Sequence, residues 1–291
     1  MPCRLVRCLP LVAFTLVLWN GSTLIRAADD NDANSKTAAM LKLFVDEFVA
    51  ITPGEGRFPK SFQMGFATGP ANERPVHKVT FTHKFAIAKY EVPQNLYEAV
   101  MGNNPSRWKG PRNSVEMMSW KDAKLFCQKI TVALRDQKLI ADTDEIRLPT
   151  EAEWEYCCRA GTTTRYGFGD EAQAKEDQGN KATLLDKFGW HTGNAAGNDP
   201  PVGALKPNAW GLYDMHGYLW EFTADDWSDD YEHASENGAA VSVDPNDGQI
   251  VMRSGSWKDK FDKLTSTTRQ KFANTKADDA VGFRCVMGRV K

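Results

Sequence analysis

The chain has 291 residues, a formal charge of −2 and 42% hydrophobic residues. This length and apolar content are enough for one sizeable core and do not require a second domain. The near-neutral charge excludes the basic footprint of a nucleic-acid-binding protein, so we expect no nucleic-acid partner. The 9 tryptophans and 22 glycines favour a loop-rich fold with aromatic packing over a helical bundle.

The N-terminus has the three parts of a secretory signal. Arg4 and Arg7 precede an apolar stretch at residues 9–19, and the small residues Ala27 and Ala28 follow. The apolar stretch is too short to span a bilayer. We expect a signal peptide at 1–27, cleaved after Ala27, with an uncleaved anchor as the alternative. The signal predicts a secreted or periplasmic protein that has no stable membrane span after cleavage and can form disulfides.

Helix and strand patterns alternate along the rest of the chain. The segment 28–52 combines a polar, irregular leader at 29–36 with an amphipathic helix at 37–49, which either docks on the domain or carries it off a surface. The sequence predicts further helices at 95–101 and 120–137, and another from a capping box at Thr150 to about residue 159. It predicts an irregular loop at 167–199 and strands at 78–87, 220–223, 250–253 and 282–287.

The most distinctive stretch is 206–227, KPNAWGLYDMHGYLWEFTADDW. Gly211 and Gly217 allow backbone conformations or close approaches that a side chain would prevent. The tryptophans favour a turn held by aromatic packing, with Asp214 and Glu221 directed at one place.

Seven motifs carry a resemblance to a known family. They are Met64-Gly65, Tyr90-Glu91-Val92, NNPS at 103–106, RLPTEAEWE at 147–155, N-x-x-G-L-Y-D-x-x-G-x-x-W-E at 208–221, RSGSW at 253–257 and GFRC at 282–285. In this order they resemble the formylglycine-generating enzyme (sulfatase-modifying factor) superfamily over residues 52–288. The resemblance implies a single α+β domain at 53–288, with a C-type-lectin-like fold and much irregular chain.

The family's copper site has no counterpart in this sequence. Family members that make formylglycine hold copper(I) on two cysteines shortly after the GGS-aromatic motif and oxidise a cysteine in a sulfatase peptide. Asp259 and Leu264 stand at those two positions here, and no cysteine lies between Cys158 and Cys285. Aspartate is a hard ligand and leucine ligates nothing, so we expect neither copper nor that catalytic mechanism.

The resemblance also implies a calcium site. Its ligands would be the side chains of Asp214 and Glu221 and the carbonyls of Gly217 and Leu219, a hard oxygen set that suits calcium. The alternative is a pair of acids that stabilises the turn.

Four cysteines follow the predicted signal. The resemblance implies a disulfide between Cys127 and Cys285, with two reduced, buried thiols as the alternative. Cys157 and Cys158 are adjacent on a predicted helix, where their side chains diverge by about 100°. We expect both to be buried thiols without a catalytic role.

Other polar residues give weaker signals. Trp220 and Ser256 are candidates for the lining of the family's cleft. Asp225, Asp226, Asp229 and Asp230 form either a cation site or a solvated acidic loop, and we favour the loop. The five histidines show no metal-ligand spacing, so we expect isolated surface or core positions.

Two functions remain open from the sequence. The first is a protein that uses the family's cleft to bind a peptide or protein outside the cytoplasm, without copper-dependent formylglycine generation. The second is an oxidoreductase, either a formylglycine generator or another metal-dependent oxidase.

Overall fold

The computed structural model describes residues 21–197, 199–243 and 248–289, with side chains from residue 34 onward. Most of the predicted signal, residues 1–20, therefore lies outside the described residues. Within these ranges, no helix combines the length and the apolar character that crossing a membrane requires.

Helices and short strands alternate along the chain. The helices are α1 (Gly21–Asp46), α2 (Gln94–Met101), α3 (Trp120–Asp136) and α4 (Glu151–Arg159). The strands are β1 (Phe48–Ile51), β2 (Ser61–Met64), β3 (His77–Thr80), β4 (Phe85–Ala88), β5 (Asp144–Arg147), β6 (Trp220–Asp226), β7 (Gln249–Arg253), β8 (Arg269–Ala273), β9 (Val281–Gly282) and β10 (Val286–Arg289).

One four-stranded sheet joins the two ends of the domain. Its order is β1-β4-β10-β5, and all neighbours are antiparallel. Val286 of β10 lies between Ile87 and Arg147, so the last strand is at the centre of the sheet. Helix α3 covers it, with Phe126 fully buried in the same core.

A second four-stranded sheet, of order β8-β7-β6-β9, positions the site described below. Strands β6 and β7 are antiparallel, and the short β9 runs parallel to β6. A register shift between Phe222 and Asp226 bends β6. Strands β2 and β3 form a separate antiparallel pair.

The N-terminal helix docks on the domain, which the sequence left open. Leu41 and Phe44 of α1 are buried in the main core. The predicted helix at 37–49 ends earlier, at Asp46, because Phe48 enters β1 and pairs with Ala88. Residues 29–36, expected to be irregular, lie within α1. Their polar composition indicated a leader and gave no helical periodicity.

Two predicted helix starts are confirmed by their caps. The side chains of Ser119 and Thr150 each accept a hydrogen bond from the backbone N–H three residues later. The carboxylates of Asp122 and Glu153 in turn accept one from the backbone N–H of the cap residue. Helix α4 ends at Arg159, as predicted, and its C-cap residue Ala160 has a left-handed conformation.

The predicted strand at 282–287 is two strands. β9 pairs with β6 in the second sheet, whereas β10 pairs with β4 and β5 in the first. Residues 283–285 cross between the sheets, where the N–H of Val92 donates to the carbonyl of Phe283 and that of Ala88 to the carbonyl of Cys285. The GFRC motif is therefore the junction of the two sheets.

Candidate functional site

The turn before β6 requires unusual backbone angles. Asp214 (φ 57°), Gly217 (φ 108°) and Tyr218 (φ 102°) all have positive φ. A Cβ atom on Gly217 would lie 2.4 Å from the carbonyl oxygen of Trp190 and 2.3 Å from a methyl carbon of Leu264. Only glycine fits there. The turn thereby brings β6 against the segment 254–264.

Asp259, at the first copper-ligand position, anchors this segment. Its Oδ2 accepts hydrogen bonds from Trp220 Nε1 at 2.8 Å, from the Ser256 backbone N at 3.0 Å and from Ser256 Oγ at 2.6 Å. The structure thus brings the two predicted cleft residues together on one carboxylate. Asp259 is a hard oxygen anion already engaged by three donors, which is unsuited to copper(I).

Leu264, at the second copper-ligand position, is a core residue. Its side chain is fully buried in an apolar cluster with Tyr166, Ala182 and Leu185. It also packs against Gly217 and Gly255. This position therefore presents hydrocarbon to the interior of the protein and offers no ligand atom.

A cavity of about 480 Å³ opens at Trp220 and Asp259. We call it the cleft. The rest of its lining is mostly polar and includes Asn72, Glu73, Arg165, Asp262, Lys263, Thr265, Thr267, Thr268, Arg269 and Gln270. Acidic, basic and hydroxyl groups are interspersed, so the cleft can form hydrogen bonds with an extended polar chain.

Glu73 is a buried acid of the cleft that the sequence did not single out. Its Oε2 accepts a hydrogen bond of 2.6 Å from Thr267 Oγ1. Burial raises the pKa of Glu73 above its ordinary value, and the bond from Thr267 opposes this shift. No local pattern marks Glu73, because its partner lies 194 residues away.

A buried ionic network supports the cleft and explains two of the motifs. Arg253 donates to Glu151 Oε1 at 2.7 Å and to Glu155 Oε2 at 2.8 Å. Arg269 donates to both oxygens of Glu151, at 2.7 and 2.8 Å. RLPTEAEWE and RSGSW therefore fix α4 against β7 and β8. Such pairs define position more than they add stability.

One of the predicted calcium ligands, Glu221, is paired with a buried arginine. Arg284 donates to both oxygens of Glu221, at 2.6 and 2.7 Å. Asp214 Oδ2 accepts from the Gly203 N–H at 2.8 Å. The other oxygen, Asp214 Oδ1, is buried and has no hydrogen-bond partner among the described residues, and the same holds for Glu91 Oε2.

These unpartnered oxygens fit a hard cation. Burial raises the pKa of Asp214 to about 6 and that of Glu91 well above its ordinary value. When both acids are ionised, they and Glu221 carry three negative charges against the one positive charge of Arg284. The described residues contain no cluster of three metal-ligating side chains, but the predicted set takes two of its ligands from backbone carbonyls. Calcium therefore stays a prediction, with Glu91 as a further oxygen.

The four described cysteines are all buried. Cys127 Sγ and Cys285 Sγ lie 4.0 Å apart as free thiols, so a bridge would require them to approach by about 2 Å. The predicted disulfide stays a prediction. Burial raises the pKa of Cys158 to about 12 and also raises that of Cys157, so neither is an activated nucleophile.

The acidic residues Asp225, Asp226, Asp229 and Asp230 do not all lie in a solvated loop, because the first two belong to β6. Asp225 is buried and accepts from the backbone N–H groups of Glu151 and Val241, and burial raises its pKa to about 7. It caps α4, which the local sequence could not show. His216 is also buried, and this lowers its pKa to about 4, so it is a neutral core residue.

Comparison with known proteins agrees with this architecture. A family model described as "Sulfatase-modifying factor enzyme 1-like domain" matches residues 35–289. The structure of PvdO from Pseudomonas aeruginosa superposes with a TM-score of 0.68 and 26% identity, covering 84% of this chain and 94% of that one. The predicted fold, an α+β domain of the C-type-lectin-like, formylglycine-generating-enzyme-like type, is confirmed.

Two curated relatives from Bos taurus bear different names. A "Formylglycine-generating enzyme" is 30% identical over 180 residues, covering 60% of this chain and 44% of that protein. An "Inactive C-alpha-formylglycine-generating enzyme 2" is 31% identical over 186 residues, covering 59% and 49%. The matched region thus spans about half of each relative. Because the two identities are nearly equal, overall similarity does not decide activity, and the chemistry at residues 256–264 must.

Proposed function

Because the chain belongs to the family of sulfatase-modifying factor enzyme 1-like domains, we propose that it binds a peptide or protein outside the cytoplasm, without copper-dependent formylglycine generation. One observation carries this proposal. Both copper-ligand positions are used for packing and loop anchoring, since Leu264 is fully buried and Asp259 is tied to Trp220 and Ser256.

The cleft supports the binding part of the proposal. Its volume of about 480 Å³ is within the range of small-ligand pockets and admits a few residues of a chain. The side chains that line it come from at least three separate stretches, and Arg269 holds two of these stretches together by donating to the backbone carbonyl of Asn72 at 3.0 Å. A rigid, polar cleft suits recognition of an extended peptide by hydrogen bonds.

Partner capture tests the binding. Tagged protein is incubated with the exported protein fraction of its source, beside variants Arg165→Glu and Trp220→Phe. Arg165 is an exposed cation of the cleft, and Trp220→Phe keeps the packing while removing the bond to Asp259. A matched control, Lys129→Glu, makes the same charge reversal on the exposed face of α3.

We expect a partner that wild type and the Lys129 variant retain and that both cleft variants lose. Equal retention by all four proteins would place binding outside the cleft. Absence of any enriched partner would count against the proposal.

A further inference from the structure

A second cavity, of about 570 Å³, lies beside the cleft. The loop that contributes Asp259 to the cleft contributes Trp257 and Lys258 to this cavity. Trp108, which is 48% exposed, is another aromatic side chain of its wall. We call it the tryptophan cavity. It is separate from the predicted calcium ligands, apart from Leu219, and from the copper-ligand positions.

A buried carboxylate of this cavity is half unsatisfied. Glu116 is only 4% exposed. Its Oε1 accepts from the backbone N–H groups of Arg107 and Trp108, at 2.5 and 3.0 Å. Its Oε2 is buried and has no hydrogen-bond partner among the described residues, and the same is true of Ser114 Oγ in the same wall. Leaving such atoms unpaired destabilises the fold, and more strongly for a charged group.

The charges of the wall leave Glu116 without a cation. Asp279 already pairs with Arg107 at 3.0 Å and with Lys258. Asp199 accepts from the neutral groups Asn113 Nδ2 and Tyr218 OH. No described basic side chain forms an ion pair with Glu116. The interior of the cavity therefore favours a positive ligand over an anion.

We propose that the tryptophan cavity binds a primary alkylammonium group, which donates to Glu116 Oε2 while its methylenes lie against Trp108 and Trp257. A compact ammonium fits a single free carboxylate oxygen. A guanidinium fork needs two, and Oε1 is already occupied by two amides. Aromatic walls add cation–π attraction. The group could belong to a free amine or to a lysine side chain of a peptide.

Ligand-observed NMR titration measures this directly. The probes are n-butylammonium and the peptide acetyl-Gly-Lys-Gly-amide, whose only cation is the lysine. Their neutral counterparts are n-butanol and the same peptide with norleucine. The variant Glu116→Gln keeps an oxygen for the two backbone amides and removes the charge. Glu98→Gln makes the same change at an exposed position of α2.

We expect saturable binding of an ammonium probe to wild type and to the Glu98 variant. Binding should weaken at least 10-fold in Glu116→Gln and be absent for the neutral counterparts. Tighter binding of the lysine peptide than of butylammonium would identify a peptide ligand, and equal binding would identify a free amine. Trp108→Ala, a surface change, should weaken binding several-fold and provides a second test if the Glu116 variant does not fold.

The proposal is overturned if wild type does not bind either ammonium probe, if the neutral probes bind as tightly, or if Glu116→Gln binds like wild type. It stands independently of the proposed function, because it concerns a different cavity. Loss of cleft binding in the Arg165 variant would leave it unaffected.

Discussion

Leu264 packs directly against Gly217 of the turn before β6. A Cβ on Gly217 would overlap the Leu264 side chain, and Leu264 also fills the space beside Gly255. Because Leu264 packs against two glycines, the size and shape of its side chain are constrained by the backbone around it. Its hydrocarbon side chain is therefore a structural requirement of the turn and of the loop that follows Trp257.

We predict that Leu264→Ala lowers the free energy of unfolding by about 2–5 kcal/mol, because a fully buried leucine leaves a cavity in the apolar cluster. Denaturant unfolding measures the change. Leu125→Ala on α3 is the matched control, since Leu125 is 41% exposed and should cost far less. Equal costs for the two variants would show that Leu264 is not packed as described.

Asp214 makes stability depend on pH in the metal-free protein. Its pKa is about 6 in the fold, against an ordinary value of 3.8, because of burial. Between these values the folded state holds more protons than the unfolded state, so stability falls as pH rises through this window. The loss reaches about 3 kcal/mol by neutral pH. We predict that Asp214→Asn removes the contribution of Asp214 to this fall and leaves those of Asp225 and Glu91, whose pKa values burial also raises, as measured by unfolding between pH 4 and 7.

Calcium should offset the same cost. At neutral pH we predict that added calcium raises the Tm of wild type, because a cation binds the ionised Asp214 in the folded state only. Asp214→Asn should show little response, whereas Asp136→Asn, at an exposed position, should respond like wild type. If calcium leaves the wild-type midpoint unchanged, the acids only stabilise the turn.

At the scale of elements, the crossing between β9 and β10 organises the domain. Its three residues are all buried. Phe283 lies in the hydrophobic core, Arg284 pairs with Glu221, and Cys285 contacts Cys127 of α3. The sequence motif GFRC thus connects both sheets to helix α3. A covalent link there would restrain a large part of the chain.

We predict that Cys127 and Cys285 form a disulfide when the protein is exposed to an oxidising glutathione buffer. Their sulfurs are already in contact at 4.0 Å. The bridge should raise the free energy of unfolding by up to about 5 kcal/mol, since it closes a long loop. Peptide mapping without reduction identifies the linked pair. A Cys127→Ala, Cys285→Ala variant should lose the difference between oxidised and reduced protein, and an unlinked pair would contradict the prediction.

Elements were predictable where local signals were strong. The capping box at Thr150 gave the start of α4 directly, and the predicted helices at 95–101 and 120–137 agree closely with α2 and α3. The strand β1 was missed because apolar residues at helical spacing continue into it, and its partner β4 is distant in sequence. The division of 282–287 between two sheets has no local signal, because both halves are apolar and extended.

The site was predictable in the same partial way. Motif positions gave Trp220, Ser256 and Asp259, which the fold brings together, and Leu264, which packs against Gly217 and Gly255. Glu73 and Glu116 were not identified, because a single glutamate carries no pattern until the fold buries it, and Glu91 was noted as part of a family motif but not as a candidate ligand. Their importance follows from burial and from unpaired oxygens, which only tertiary structure shows.

At the scale of the whole molecule, the domain combines a family scaffold with an altered loop. The ionic network of α4, β7 and β8, the glycine turn and the sheet junction are all in place around the cleft. At the two copper-ligand positions, however, the loop carries an anchored carboxylate and a buried hydrocarbon. The molecule therefore keeps the scaffold around the cleft, and Asp259 and Leu264 supply no thiolate there.

The most direct measurement is a mass assay on a cysteine-containing sulfatase-motif peptide, with copper(I), oxygen and reductant supplied. The formylglycine-generating enzyme of Bos taurus serves as the positive control. We predict that the peptide mass stays unchanged with this protein while the control converts the cysteine to formylglycine. Conversion by this protein would contradict the account and would require an active site that uses neither Asp259 nor Leu264 as a copper ligand.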